Sequence, residues 1–295
     1  MTNLMGKKWW FFILSLVLIL PGLLSLYLYG LRFGIDFTGG TLFEYQFDSD
    51  ISQDELKQVF IDNKIEVSSI ILSEQNSVII KSKPSEELII SSMKSKLALK
   101  YGEVKELRVE SVGPVVGGET TKNALFALVL ATLMIILYIA FSFRKVPKPA
   151  SSWRFGVVAV VALLHDVILL VGVFSILGHF LNIEIDILFM TALLTVIGFS
   201  VHDTIVVFDR IRENLPKHLS KSFTSVADIS IVQTLGRSLN TSLTVVFVLF
   251  ALLLFGGESI RWFVVALLVG IISGTYSSIF NATALLVVWE EKLGH

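Results

Sequence analysis

Residues 9–31 read WWFFILSLVLILPGLLSLYLYGL, a stretch without one charged side chain. A bilayer's hydrocarbon core is about 30 Å thick, and a helix needs about 20 apolar residues to cross it. Lys7 and Lys8 precede the run, as they would in a signal peptide, but it is too long for one and lacks a clear small-x-small cleavage site. It therefore reads as an uncleaved anchor. Five more runs follow: 123–143, 155–183, 187–208, 238–257 and 262–289. The chain of 295 residues is 54% hydrophobic and 17% charged, with a net charge of −1. Soluble domains carry about a quarter charged residues, so a disordered chain, a coiled coil and a plain soluble enzyme are all excluded. The charge balance supports no basic face for nucleic acid. With no cysteine there is no disulfide framework, thiolate chemistry or Cys-based zinc site, and neither cofactor nor metal is expected.

Basic residues in short loops set the orientation. Lys7 and Lys8 precede the first run, Arg144, Lys145, Lys148 and Arg154 separate the second from the third, and Arg210, Arg212, Lys217, Lys221 and Arg237 separate the fourth from the fifth. The alternate loops, 178–186 and 256–261, hold only Arg261. Both termini are thus expected on the cytoplasmic side. Residues 1–31 form the N-terminus and first span, 32–120 an external domain, and 121–295 the remaining spans, with cytoplasmic loops at 144–154 and 209–237.

The external segment alternates apolar and polar residues at Thr41 to Phe47. A capping-box pattern, Ser52–Gln53–Asp54–Glu55, opens a helix to about Lys64. Val67 to Leu72 and Ser77 to Lys83 read as a strand pair around Glu74–Gln75–Asn76. Pro84–Ser85 starts a second helix that runs to Tyr101, and Lys105 to Val112 is a last strand. The order β-α-β-β-α-β is the split βαβ, ferredoxin-like plan. The expected fold is therefore a six-helix membrane protein with an inserted α+β domain. That domain has no His cluster, nucleophile triad or phosphate loop, so it reads as a binding or lever domain.

A charge deep in a membrane costs several kcal/mol, so an ionisable residue there defaults to function. The third run holds His165 and Asp166, the fourth His202 and Asp203, and Arg237 sits just before the fifth. At about 1.5 Å per residue, Asp203 lies roughly 27 Å from the outer start near Ile185, and Arg237 roughly 28 Å below Gly256. Thr241 is one turn above Arg237, and Asp166 is roughly 18 Å below Gly178. The spacing permits a proton-binding ladder of His165, Asp166, Thr241, Asp203 and Arg237. With Arg237 close, Asp203 stays ionised; with Arg237 withdrawn, it takes a proton. The plainer alternatives are a structural Asp203–Arg237 pair and a satisfied packing pair at His165–Asp166. The residues Gly270, Gly274, Ser278 and Ala282 make a small-xxx-small stripe in the sixth run, read as static packing or a sliding seam.

Three stretches carry a family resemblance: Gly34–Ile35–Asp36–Phe37–Thr38–Gly39–Gly40–Thr41, Val201 to Asn214 (VHDTIVVFDRIREN), and Gln233 to Ser242 (QTLGRSLNTS). Together they resemble the SecF family, the smaller subunits of the bacterial SecD–SecF protein-export complex within the RND superfamily, and the likeness covers essentially the whole chain. It implies an RND-type half of six helices that is not an enzyme and that uses proton flow to help preproteins across the bacterial inner membrane. The implied partners are SecD, the SecYEG translocon, the translocating preprotein, membrane lipid, and YajC and YidC as further candidates. The family's proton-relay Asp, Arg and Thr match Asp203, Arg237 and Thr241, and His165–Asp166 looks like a family pattern. Gly34, Asp36, Phe37, Gly39 and Gly40 match the motif at the base of the external domain. His202 departs from the family's more usual Asn, which makes a second titrating group conceivable beside Asp203. The nearest rival reading is one half of an RND-type small-molecule exporter. An intramembrane aspartyl protease built on Asp166 and Asp203 is disfavoured, because their depths differ by roughly 9 Å and no Gly-x-Gly-Asp signature is present.

Overall fold

A computed structural model describes residues 3–48, 51–72, 76–85, 87–144, 147 and 150–292. Glu74, Gln75, Lys145, Lys148 and residues 293–295 lie outside that set. The chain divides into two units, residues 1–32 with 126–295 and residues 33–125.

Six apolar helical segments are long enough to cross a membrane: Met5–Tyr29, Pro114–Ser142, Ser152–Leu181, Ile187–Asn214, Phe223–Phe255 and Ser259–Lys292, all in the first unit except residues 114–125. They contain α1 (Lys8–Tyr29), α5 (Pro114–Ser142), α6 (Ser152–Leu181), α7 (Ile187–Asn214) and α8 (Phe223–Phe255). The sixth is composite: α9 (Glu258–Tyr276), a π-helical turn at Ser277–Asn281, and α10 (Ala282–Lys292). The segments of α6, α7 and the composite helix are at least half buried, whereas those of α1, α5 and α8 are mostly exposed.

Two helices reach beyond their apolar runs. The stretch 209–237, expected to be a loop, is largely helical, because α7 continues to Asn214 and α8 starts at Phe223. Ser222 caps α8, its hydroxyl accepting from the Ser225 backbone N–H. A buried stripe at Phe223, Val226, Ala227, Ser230, Ile231 and Thr234 gives this polar segment a helical face to pack.

The first and third spans pack in a constant register. Ser15 meets His165, Ser25 meets Ser175 at 2.9 Å, and Arg32 meets Asn182, each pair 150 residues apart. Between them Gly22 and Gly172 bring the backbones together: a Cβ built on either would lie 2.8 Å from the other's Cα. Small residues are what allow such an approach in lipid, where helices associate by packing and hydrogen bonds rather than by the hydrophobic effect. At one end of the bundle the Arg154–Glu290 ion pair is buried, and Lys8 and Thr224 both bond Glu291.

The second unit is built on β1 (Gly40–Phe47), α3 (Gln53–Asp62), β2 (Val67–Leu72), β3 (Ser77–Ser82), α4 (Glu87–Tyr101) and β4 (Val104–Val112). The sheet order is β2-β3-β1-β4, with every neighbouring pair antiparallel. This is the split βαβ arrangement read from the alternation of apolar positions. Its core stacks Phe43, Tyr45 and Phe47 of β1 on Leu56, Phe60, Met93 and Leu97 of the helices. Ser52 sits at the N-cap of α3, but its side chain makes no capping bond. A short helix, α2 (Ile35–Thr38), precedes β1, and Gly39 and Gly40 make the turn between them with φ of 73° and 145°. A Cβ on Gly40 would lie 2.7 Å from the Ser82 carbonyl oxygen, and one on Gly39 would lie 3.0 Å from the Pro114 Cα.

Three outcomes follow from this packing. Gly40→Ala adds both a forbidden φ and a backbone clash, and should destabilise the sheet unit by about 1–3 kcal/mol, read as lost hydrogen-exchange protection in β1. Gly172→Leu should cost about 1–3 kcal/mol through overpacking, read as earlier unfolding of the full chain in detergent. Tyr45 is buried with its hydroxyl unpartnered, and burial, followed by the charge of Glu106, raises its phenol above the ordinary value. The folded phenol therefore keeps its proton where the unfolded one ionises, so stability is constant below about pH 10 and falls above it. Tyr45→Phe should remove that alkaline loss and gain roughly 1 kcal/mol at neutral pH, and unchanged alkaline sensitivity would refute the assignment.

Candidate functional site in the helix bundle

Midway along its length the buried stripe of α7 passes through Ser200, Asp203 and Thr204, all about 1% exposed, and it ends on the buried Asn214. Asp166 on α6 and Ser277, Ser278, Asn281 and Thr283 on the composite sixth span are buried with them. Hydrocarbon offers no water to these groups, so partners must come from inside the protein, and Asn281 Oδ1 and Thr283 Oγ1 are left without one.

Asp166 finds three. Ser200 Oγ donates to its Oδ2 at 2.5 Å, Ser277 Oγ to the same oxygen at 2.7 Å, and His165 Nδ1 bonds Oδ1 at 2.9 Å. An ionised carboxylate only accepts, so against ionised Asp166 the His165 ring donates from Nδ1–H. His165 Nε2 lies 3.0 Å from Ser15 Oγ on α1 and 3.2 Å from Asn281 Nδ2. The hydroxyls continue the network: Thr204 donates to Ser278 Oγ at 2.9 Å, and Ser278 donates to the Ser200 carbonyl at 2.8 Å. The π turn brings Ser277, Ser278 and Asn281 to bear together, and a π-bulge inside an α-helix is frequently found at a functional site.

The small-residue stripe faces α7. A Cβ on Gly270 would overlap Val196, and one on Gly274 would lie 3.2 Å from the Ser200 Cβ and 3.6 Å from Asp166 Oδ2. Ser278 of the same stripe supplies hydrogen bonds to α7, so the seam combines close packing with polar recognition.

Asp203 is equally buried and far less satisfied. Its contacts are Ser242 Oγ, at a long 3.5 Å to Oδ2, and the neighbouring His202 Nδ1, at 3.6 Å from Oδ1. Ser242 in turn bonds Thr275 at 2.7 Å. The His202 side chain is 61% exposed, so an accessible imidazole adjoins a buried carboxylate.

Arg237 and Thr241 are not at Asp203. Both are exposed on α8, Thr241 donates to the Arg237 carbonyl at 3.0 Å, and the Arg237 guanidinium makes no ion pair among the described residues. Depth estimates gave height along the helix and left azimuth open; α8 turns Ser238 and Ser242, one residue further on, toward the bundle. The structure thus joins His165 to Asp166, places Asp203 with Ser242 and His202, and leaves Arg237 and Thr241 outside. The base motif lies in the other unit: Gly34 precedes α2, Asp36 and Phe37 lie on it, and Gly39 and Gly40 make the following turn. There Thr121 Oγ1 donates to the Phe37 carbonyl at 3.4 Å.

Sequence reasoning missed Ser15, Ser242, Thr275, Ser277 and Asn281. The available signal was compositional: Thr275 to Thr283 reads TYSSIFNAT, a polar cluster inside an uncharged membrane run.

With this geometry established, comparison with known proteins places the chain. A family model described as "Protein export membrane protein SecD/SecF, C-terminal" matches residues 92–292, and one for the "SecD/SecF GG Motif" matches residues 25–51. A protein translocase subunit SecF of Thermobaculum terrenum is 46% identical, the alignment covering 99% of this chain and 95% of the relative. The SecDF subunit of Bacillus subtilis is 35% identical over 97% of this chain, which spans 38% of that longer protein. The crystal structure of SecDF from Thermus thermophilus, described as a translocon-associated membrane protein, superposes with a TM-score of 0.86 at 32% identity over 98% of this chain and 39% of that one. A further SecDF structure, in a super-membrane-facing form, gives a TM-score of 0.70. The chain belongs to the SecD/SecF family of protein-export membrane proteins.

Proposed function

We propose that this chain is a SecF-type accessory subunit of Sec-pathway protein translocation, driven by proton movement through its helix bundle and carrying out no covalent catalysis. It sits in the bacterial cytoplasmic membrane with both termini inside. It pairs with a SecD-type subunit and acts with the SecYEG translocon on a preprotein emerging on the external side, with YajC and YidC as further partners. The family assignment and the full-length likeness to SecF subunits support the pathway. The observation that carries the proton reading is Asp203: a carboxylate about 1% exposed on a membrane-spanning helix, with one long hydroxyl contact and one exposed imidazole beside it.

Such a group has a low barrier to changing its protonation state, because little in the protein fixes the charge. The cation able to fix it, Arg237, is one helical position away from the buried face. Turning α8 by one residue step, about 100°, would exchange Ser238 and Ser242 for Arg237 and Thr241 at the seam with α7. In the present arrangement Asp203 is the proton acceptor; in the turned arrangement Arg237 holds it ionised and the proton leaves. A membrane potential supplies about 2.3 kcal/mol per charge per 100 mV, and a pH gradient about 1.4 kcal/mol per unit, enough to bias two packings of this kind. His165 and Asp166 extend the relay toward the bundle centre.

In membrane vesicles carrying the full Sec machinery, Asp203→Asn should leave insertion and partner association intact. It should reduce the proton-dependent part of preprotein translocation to the level of vesicles lacking this subunit. A variant whose translocation still falls on collapse of the proton gradient, as the wild type's does, would overturn the reading.

A further inference from the structure

Asn281 points its amide nitrogen at Ser15 Oγ and His165 Nε2, while its carbonyl oxygen Oδ1 is buried without a hydrogen-bond partner. An unpaired buried acceptor carries a penalty. Here it faces away from His165 Nε2, which becomes a donor when the ring is protonated there. A side-chain amide is two-faced: turning it by half a circle about its last bond exchanges nitrogen and oxygen in nearly the same space.

The two orientations suit two states of His165. With the nitrogen inward, Asn281 donates to the Nε2 lone pair, which requires a neutral ring protonated on Nδ1. That is the tautomer which the Asp166 carboxylate demands from the other side. With the oxygen inward, Oδ1 accepts from Nε2–H, which, while Nδ1 keeps its proton toward Asp166, exists only when the ring is an imidazolium. The Ser15 hydroxyl, 3.0 Å from Nε2, rotates to serve either state. The conversion takes up one proton from water at Nε2 and breaks no other bond, and release leaves from the same atom.

We propose that His165 is a second proton-binding site in the bundle, separate from Asp203, and that Asn281 is its positioning residue, selecting the Nδ1–H tautomer in one amide orientation and holding the imidazolium in the other. The inference extends the proton-driven reading and rests on it for its purpose, although the protonation chemistry stands on the geometry alone. The groups facing the ring are few. On α6 there is Asp166; on α1 there is the neutral Ser15; on α7 there is Ser200, reached through Asp166; on the π turn there are Ser277 and Asn281. Tyr276 of α9 is also titratable, and its hydroxyl is committed to the Phe11 carbonyl at 2.8 Å. Asp166 is thus the one carboxylate within hydrogen-bond reach of the ring among the described residues, and it accepts from Ser200 and Ser277 as well. When His165 gains its proton, the ring becomes an imidazolium against a fully bonded carboxylate, and the pair is held by α1, α6, α7 and the π turn at once.

The test uses the full chain in lipid nanodiscs with His179, His202, His218 and His295 replaced by Gln, labelled with nitrogen-15 histidine. Imidazole nitrogen resonances are recorded from about pH 4 to about pH 9. The expected neutral form is protonated at Nδ1 and bare at Nε2, giving way at low pH to a ring protonated at both. Asn281→Asp, which places a carboxylate oxygen at Nε2, should raise the ratio of imidazolium to neutral ring at a fixed pH about tenfold. Asn281→Leu should lower it by a similar factor and let the Nε2–H tautomer appear. A wild-type neutral ring protonated on Nε2, or equal ratios in all three proteins, would overturn the proposal. If either variant fails to assemble, the wild-type tautomer decides. In an Asp203→Asn background His165 should titrate unchanged; loss of its titration there would mean a single shared site, whereas a failure of Asp203→Asn to impair translocation would leave the His165 outcome standing.

Discussion

A carboxylate in hydrocarbon must be surrounded by donors or give up its charge, and this constraint organises the bundle around Asp166. Its three bonds come from His165 on α6, Ser200 on α7 and Ser277 on the π turn. Those donors can converge only if α7 and the sixth span touch closely, which Gly270 and Gly274 allow by presenting no side chain to Val196 and Ser200. The π turn then advances Ser277, Ser278 and Asn281 toward the same centre. Removing any of these features would leave the others with polar groups they could not satisfy.

The two buried acids are solvated to opposite degrees. Asp166 is bonded by three donors from three segments, while Asp203, a turn further along the seam, has one long hydroxyl contact and a side neighbour that faces outward. A tightly bonded acid fixes geometry, and a loosely bonded one leaves its oxygens largely without donors. From Asp166 the hydroxyls of Ser200, Ser278 and Thr204 form a bonded series. The bundle therefore has one fully bonded acid and one sparsely bonded acid, both Asp.

Much of this was legible in the sequence, and the exceptions have physical causes. Six apolar runs announce membrane spans because length and charge deficit suffice. The βαββαβ order shows through alternation and turn residues, and its sheet order follows from the handedness of crossover connections. His165, Asp166 and Asp203 stand out because charge in an apolar run is costly. Arg237 illustrates the limit: the rise per residue fixes depth, but which way a side chain points depends on packing against α7 and α9, which no local pattern states. The polar segment before the fifth run reads as a loop because its helical face is short, yet it is buried as helix. Asn281 was invisible because its partners, Ser15 and His165, lie 266 and 116 residues away. A lone amide in a span carries no hint of them.

The constant separation of 150 residues between the first span and its mate has a consequence for how the molecule is made. Chains emerge from ribosomes at about 5–20 residues per second. The N-terminal helix must therefore wait on the order of ten seconds before α6 exists to receive it. During that interval Ser15, Ser25 and the surface at Gly22 face acyl chains, while β4 has already left the ribosome and the sheet domain can close. Biogenesis then runs from anchor to domain to clasp, with the glycine contact available once α6 is made and the Asn281–Ser15 bond only after the sixth span follows.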